Sequence, residues 1–406
     1  MKRFEARVLQ LDSVEEVARA ISRTGSDPEG VGIMTRKGAM FLIALKNVPL
    51  KTATLLKQEM LAIGADSAHH KGIAAMNIPQ TEIVLMATLS QYRRLFPKLR
   101  RQPFQLPILA DAVEKALTSY FSKRKLTIAM AGGKKLVAGG RTLVMGVVNV
   151  TPDSFSDGGV FLDPNRAIEH GKKLAEEGAD ILDIGGESTH PGALSTSAKE
   201  EMKRVIPVIK GLAESTEVPI SIDTSKPSVA RAALDAGAHM VNDVTGLRSE
   251  EMRQIVRRYD AGAVVMHMRG TPENMQMDTR YDDLRGEVYG FLLEASAQAV
   301  EEGISADHIV VDPGIGFGKS SEGNLDLLDH IGEFRSLGFP VMVGASRKGF
   351  LGAILGGAPV TERLEGSVSS AIVASLRGAH MVRAHDVAPT VRALKVADAI
   401  RQGRIP

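Results

Sequence analysis

From Leu143 onward, a short apolar run followed by a stretch of helical periodicity recurs roughly every 30 residues, which is typical of repeated βα units. Several runs are almost continuously apolar, as expected of strands that are covered on both faces. The eight runs are LVMGVVNV, ADILDIGG, PISIDT, HMVNDV, GAVVMHM, HIVVDPG, PVMVGAS and AHMVRAHD. Their number and order predict an α/β fold, a (β/α)8 TIM barrel over residues 143–406.

The first third of the chain has a different pattern. Residues 1–130 alternate strand-like with helix-like segments and predict a smaller N-terminal α+β domain, to which the sequence assigns no function. Residues 131–142 contain two glycine pairs and predict a linker.

Polar residues follow the apolar runs of the second part, where each predicted strand ends. In a barrel these ends converge on one mouth, and barrel enzymes build their active sites there. Any one of these residues could equally be a helix cap or a turn residue, but together they predict a site. They are Asn149, Asp183, Asp223, Asn242, Asp243, His267, Asp312, Ser346, Arg383 and His385.

Charge and composition exclude several classes of protein. Lys plus Arg number 50 against 48 for Asp plus Glu, so the net charge of +2 provides no field for nonspecific binding of nucleic acid. We therefore expect no nucleic-acid partner and, because no run of about eighteen apolar residues occurs, no membrane span. The absence of cysteine excludes disulfides and zinc–thiolate sites and indicates a cytoplasmic protein.

A long polar loop, NVTPDSFSDGG (149–159), follows the first predicted strand. Its glycines and proline predict a mobile lid centred on Phe155. The amide oxygen of Asn149 and the carboxylates of Asp153 and Asp157 are ligands that Mg²⁺ accepts beside phosphate oxygens. The alternative interpretation is a surface turn rich in Asp and Asn, which would not need an aromatic residue.

The residues at the remaining strand ends indicate two kinds of ligand, a heteroaromatic ring and an anion. Asp and Asn side chains can bind the adjacent donors and acceptors of a bicyclic amino-pyrimidinone. The last two loops carry Lys348, Arg383 and His385 before a predicted helix, the usual phosphate site of barrels. The tract GIGFGKS is not a nucleotide P-loop, since position 313 is Pro. This inventory fits a transferase with a pyrophosphate leaving group.

Taken together, seven segments resemble the dihydropteroate synthase family: residues 149–159, 185–192, 221–227, 242–243, 312–319, 346–348 and 383–385. The resemblance covers about residues 141–401 and implies a function. It implies condensation of 6-hydroxymethyl-7,8-dihydropterin diphosphate with p-aminobenzoate, with Mg²⁺ as cofactor, to give 7,8-dihydropteroate and pyrophosphate in folate synthesis. It further implies a homodimer and inhibition by sulfonamides.

The resemblance also assigns roles to individual residues. It implies a pterin site of Asp223, Asn242, Asp312, Lys348 and Met268. It implies a diphosphate site of Asn149, Arg383 and His385, with Asn149 also a metal ligand. It implies an aminobenzoate pocket of Phe155, Thr189, Pro191, Phe317 and Ser346. The expected catalytic residues are Asp223, Asp312, Lys348, Phe155 and Asp157.

Two features depart from the family pattern. His190 stands where the family usually has Arg, and the minimal enzyme lacks an N-terminal domain. Two alternatives stay open at this point. One is a methyltetrahydrofolate-dependent corrinoid methyltransferase, which shares the barrel and the Asp/Asn pterin site. The other is a pterin-binding protein without catalytic activity.

Overall fold

The computed structural model describes residues 7–9, 11, 13–122, 125–151, 163–188 and 195–403. They belong to two compact units, Met1–Thr118 and Ser119–Pro406. The boundary precedes the one that the sequence places at residue 130, because residues 126–138 pack against the barrel strands.

The N-terminal unit is a small α+β domain, as predicted. A three-stranded antiparallel sheet has the order β1–β3–β2. Helices α3, α4 and α5 enclose a core with one face of the sheet, formed by residues such as Leu56, Leu85 and Leu95. The elements are α1 (Val14–Ser22), α2 (Pro28–Gly38), β1 (Met40–Pro49), α3 (Leu50–Ala62), β2 (Asp66–His69), β3 (Gln80–Thr88), α4 (Leu89–Leu99) and α5 (Leu106–Phe121), whose last residues belong to the second unit.

The second unit begins with a hairpin of β4 (Leu126–Ala129) and β5 (Lys135–Ala138). Strands then alternate with helices: β6 (Leu143–Asn149), α6 (Pro164–Glu176), β7 (Ile181–Gly185), α7 (Ala198–Ser215), β8 (Ile220–Asp223), α8 (Pro227–Asp235), β9 (Met240–Asp243), α9 (Glu250–Arg258), β10 (Gly262–Met266), α10 (Leu284–Glu301), β11 (Ile309–Asp312), α11 (Ser321–Asp329), β12 (Met342–Val343), α12 (Gly349–Ile354), α13 (Leu364–Leu376), β13 (Met381–Ala384) and α14 (Val387–Gln402).

Eight parallel strands form the predicted barrel. Their order is β11–β10–β9–β8–β7–β6–β13–β12. A parallel bridge between Val311 and Val341, just before β12, closes the sheet on itself. Because all eight strands run in the same direction, their carboxyl ends lie at one mouth.

Polar side chains begin many of the outer helices. Ser197 accepts a hydrogen bond from Glu200 N–H, and Ser249 and Ser320 cap α9 and α11 in the same way. These caps satisfy backbone donors that a helix leaves unpaired. Each of these caps fixes the residue at which the preceding loop ends and the helix begins. The length of loop that can lie over the mouth is thereby defined.

The hairpin covers the opposite, amino-terminal end of the barrel. Ile128, Met130 and Ala138 are buried in one apolar cluster with Met145 and Val264 of the barrel interior. The segment that the sequence assigns to a linker is therefore partly a structural floor. Among the described residues, no helix is long and apolar enough to cross a membrane.

Candidate active site

Five strands bring residues predicted for the pterin and the diphosphate to the mouth. β6 ends at Asn149, β8 at Asp223 and β11 at Asp312, and Asn242 and Arg383 are the penultimate residues of β9 and β13. Gly185 at the end of β7 keeps the space between two of them open. A Cβ atom added there would lie 3.6 Å from Oδ1 of Asn149 and 3.7 Å from Oδ2 of Asp223.

Arg383 joins two carboxylates at the centre of the mouth. Its Nε donates to Oδ2 of Asp183 at 2.6 Å, and its Nη2 donates to Oδ2 of Asp223 at 2.8 Å. Asn242 adds a third contact, since its Nδ2 donates to the same Asp183 oxygen at 3.0 Å. Although burial opposes it, the carboxylates of Asp183 and Asp223 raise the pKa of Arg383, so the guanidinium stays charged.

Burial alters the acidity of both predicted pterin carboxylates. It raises the pKa of Asp223 to about 7, against the opposing effect of Arg383. It raises the pKa of Asp312 to about 6, although Gly314 N–H donates to Oδ1 of Asp312 at 2.7 Å and lowers it. Asp312 is therefore mostly ionised at neutral pH, whereas Asp223 becomes mostly ionised only as the pH rises above about 7.

Lys348 completes the pterin set from the loop after β12. Its ammonium lies 3.9 Å from the ring centroid of Phe317, a cation–π contact. Burial, with the nearby charge of Arg383, lowers the pKa of Lys348 to about 8. Gly316 lies beneath its stem, and a Cβ atom there would be 3.0 Å from Cδ of Lys348.

An apolar wall lies beside these charges. Met268, predicted to neighbour the pterin, packs in one buried cluster with Phe317, predicted for aminobenzoate, and with Val244, Met266 and Met275. Both predicted substrates would therefore contact the same wall. Such a wall excludes water from the neighbouring carboxylates.

Ser346 and His385 meet across the loops after β12 and β13. The backbone N–H of His385 donates to Oγ of Ser346 at 3.2 Å, and Nδ1 of His385 lies 3.0 Å from the same oxygen. The structure thus joins a residue predicted for aminobenzoate with one predicted for diphosphate. Phe155, Asp157, Thr189 and Pro191, with Asp153 and His190, lie outside the described residues.

Two residues that make important contacts have no specific role assigned from the sequence. Asp183 is predicted only as one of the polar residues at the strand ends, and the structure places it in contact with Arg383. Lys319, the lysine of GIGFGKS, is only 2% exposed and donates to the carbonyl oxygens of Gly314 and Phe317 at 2.9 Å. It thus supports the loop that carries Phe317.

Known proteins are similar to this chain in sequence and in fold. Residues 145–385 match the family model for pterin binding enzyme. A probable bifunctional folylpolyglutamate synthase/dihydropteroate synthase of Halobacterium salinarum is 39% identical over 398 residues, covering 97% of this chain but 47% of its own length. The dihydropteroate synthase of Escherichia coli K12 is 42% identical over 271 residues, covering 65% of this chain and 96% of its own.

Solved structures agree with the sequence relatives. A Yersinia pestis dihydropteroate synthase with a sulfonamide drug complex is 39% identical, with a TM-score of 0.65, and covers 69% of this chain and 100% of its own. A Xanthomonas albilineans dihydropteroate synthase with 4-aminobenzoic acid is 45% identical, with a TM-score of 0.64, and covers 68% and 99%. The chain therefore belongs to the dihydropteroate synthases of the pterin-binding enzyme family.

Proposed function

We propose that the barrel joins 6-hydroxymethyl-7,8-dihydropterin diphosphate to p-aminobenzoate and releases pyrophosphate. The observation that carries this proposal is the placement of Asp223, Asn242, Asp312 and Lys348 around one mouth of the barrel. Carboxylates accept the N–H donors of an aminopterin, while the amide and ammonium supply donors for its acceptors. The known relatives are synthases, which favours this activity over the corrinoid methyltransferase and over a protein that only binds pterin.

The diphosphate would lie against Asn149, Arg383 and His385. Arg383 presents a permanent charge, and α14 begins two residues after His385, so its N-terminal N–H groups add positive potential. In the structure the Arg383 guanidinium already pairs with Asp223. Diphosphate binding therefore competes with a carboxylate for this guanidinium.

The donor set at Asn149 fits a Mg²⁺ ion that arrives with the diphosphate. The described residues contain no cluster of three His, Asp or Glu side chains that could hold a metal alone. One amide oxygen with diphosphate oxygens and water is a coordination that Mg²⁺ commonly adopts. When bound, the ion would neutralise charge on the leaving pyrophosphate.

Charge stabilisation explains how the mouth would accelerate the reaction. The bond between the pterin methylene carbon and the diphosphate oxygen breaks, and its electron pair leaves on pyrophosphate. Positive charge then spreads over the pterin, where ionised Asp223 and Asp312 stabilise it. The arylamine nitrogen forms the new C–N bond and afterwards releases one proton to solvent. No strong general base is required.

Some predicted residues enter the proposal from the sequence alone. Phe155 and Asp157 would close the first loop over the arylamine and exclude water, and Thr189 and Pro191 would contact it from the second loop. Ser346 and Phe317 would complete this pocket, where sulfonamides would compete. The cytoplasmic location and the absence of a nucleic-acid partner also stay predictions.

Exposed apolar residues support a homodimer through barrel helices. Val373 and Leu376 of α13 are 41% and 46% exposed, and Val396 and Ile400 of α14 are 62% and 70% exposed. Exposed apolar residues on two helices that pack against each other are typical of a subunit interface. Sedimentation of the full chain, alone and as V396K/I400K, tests this part of the proposal.

The activity is tested by pyrophosphate release from the pterin diphosphate, with and without p-aminobenzoate, in Mg²⁺ and in EDTA, with the product identified by mass. We expect 7,8-dihydropteroate only with both substrates and Mg²⁺. Asp312→Asn should reduce the rate sharply with the fold intact. Tight pterin binding without product would instead favour the pterin-binding protein.

A further inference from the structure

Arg347 has an unusual backbone conformation between two predicted site residues, Ser346 and Lys348. Its φ angle is 59°, in the left-handed region that residues with a Cβ atom rarely adopt. Neither the sequence nor the family resemblance assigns it a role. Because this conformation is costly, the surrounding contacts must hold it.

Hydrogen bonds from the backbone and from the side chain hold Arg347 in place. Its backbone N–H donates to Oγ of Ser367 at 2.9 Å. Its side chain turns toward Asp386, to which Nε donates at 3.0 Å and Nη2 at 2.6 Å. The side chains of Arg347 and Asp386 are 21% and 22% exposed, so this two-bond ion pair is partly protected from solvent.

The ion pair connects two loops of the mouth. Arg347 belongs to the loop after β12, and Asp386 directly follows His385 after β13. The hydrogen bond from His385 N–H to Ser346 Oγ joins the same loops from the other side. Arg363 supports the first loop by donating to the carbonyl oxygen of Arg347 at 3.1 Å.

We propose that Arg347 and Asp386 are positioning residues for the condensation. With Arg347 turned toward Asp386, Ser346 faces His385 and Lys348 faces the ring of Phe317. The pair thus sets the positions of groups expected to bind aminobenzoate, pterin and diphosphate. This inference rests on the proposed function, and it makes neither residue a participant in bond breaking.

The test compares R347M, D386N and the double variant in the full-length chain. Each single variant removes the ion pair and allows the two loops to move independently. We expect KM for both substrates to rise about tenfold, with a smaller fall in kcat. The double variant should be no worse than either single variant, because both disrupt one interaction. R347K, which keeps the charge but not the two-bond geometry, should recover part of the loss.

A matched control lies at the other end of the barrel. Arg141, just before β6, donates through Nη1 to Oδ2 of Asp180 at 2.8 Å in a similar two-bond pair. R141M should lower the melting temperature without changing KM. Unchanged KM values in R347M and D386N, with only a lower melting temperature, would overturn the proposal.

A second variant covers the case in which R347M does not fold. The exchange R347D/D386R restores opposite charges, and we expect it to improve KM over R347D alone; no improvement would count against the pair. If the wild-type chain releases no pyrophosphate, the proposed function fails separately. The affinity of R347M and D386N for bare pterin would then test whether the pair positions Lys348, with unchanged affinity overturning it.

Discussion

Nε of Arg383 lies 2.6 Å from Oδ2 of Asp183, a carboxylate with no exposed surface. Within the described residues, the other oxygen of Asp183 has no hydrogen-bond partner. Such a carboxylate is expensive to bury and depends on the guanidinium for its compensation. Asp183 and Asp223 thus share one guanidinium, each accepting a hydrogen bond from a different nitrogen of Arg383.

Asp183→Asn tests this division of the guanidinium. The variant keeps the shape of the side chain but removes its charge, so Arg383 should pair more completely with Asp223 and compete with the pterin. We expect KM for the pterin diphosphate to rise about tenfold and the free energy of unfolding to fall by about 2 kcal/mol. Steady-state kinetics and urea unfolding measure the two effects. Normal KM with lowered stability would leave Asp183 a purely structural role.

The rate should depend on pH through three groups of the mouth, Asp312, Asp223 and Lys348. As pH rises through 6 to 7, Asp312 and Asp223 ionise and can accept pterin N–H donors, so kcat/KM should increase. Above about pH 8 Lys348 loses its charge and kcat/KM should fall. A pH profile measures both limbs, whose apparent pKa values belong to the interacting groups together. Lys348→Arg keeps the positive charge at alkaline pH and should remove the alkaline limb. If the limb persists in this variant, a group other than Lys348 causes it.

Asp223 should also affect stability in a defined direction. Its folded pKa of about 7 exceeds the ordinary value of 3.8, so the folded protein binds this proton more tightly than the unfolded chain. Its contribution is therefore present in acid and is lost as pH rises from 3.8 to about 7. Asp223→Asn should unfold with a weaker pH dependence across this range. Denaturant titrations at pH 5 and 7.5 would show whether the slope changes.

Gly316 provides a test of how closely Lys348 must be positioned. Gly316→Ala places a methyl group 3.0 Å from Cδ of Lys348 and strains a residue with φ of +85°. Gly133→Ala, in the hairpin, has a similar φ of +73° with no atom within 4 Å of the new Cβ. Both variants should lose about 1 kcal/mol of stability. Only Gly316→Ala should weaken pterin binding in calorimetry. Equal pterin affinities of the two variants would show that the Lys348 side chain moves to accommodate the methyl group.

The floor of the barrel should matter for stability and not for substrate affinity. Ile128 is fully buried in the cluster with Met145 and Val264, so Ile128→Ala leaves a cavity at the amino-terminal end. We expect a loss of about 3 kcal/mol in the free energy of unfolding, with KM unchanged. A raised KM would mean that packing changes at the amino-terminal end of the barrel alter the positions of residues at the mouth.

The barrel could be predicted because its strands are apolar runs with polar residues at one end, as at Asp223 and Asp312. The contacts between those residues could not, because they join distant segments. Asp183 and Arg383 are 200 positions apart, and nothing in either run indicates the other. The sequence pattern likewise does not indicate that Arg347 and Asp386 pair. Their ion pair and the left-handed φ of Arg347 are visible only in the structure.

The domain boundary illustrates a second limit. Glycine pairs in residues 131–142 indicate turns, but turns occur both in linkers and in hairpins. The burial of Ile128 and Met130 distinguishes the two, and burial depends on the barrel strands that follow. The predicted roles of Phe155, Asp157, Thr189 and Pro191 depend on their motifs alone.

The hairpin floor has a consequence for the order of events during turnover. With the amino-terminal end sealed by Ile128 and Met130, both substrates and both products would share the opposite opening. A pterin seated against the strand ends would then lie deeper in the mouth than an arylamine that arrives after it. If the arylamine bound first, it would obstruct the pterin. We therefore expect ordered binding, in which the pterin diphosphate enters before the arylamine.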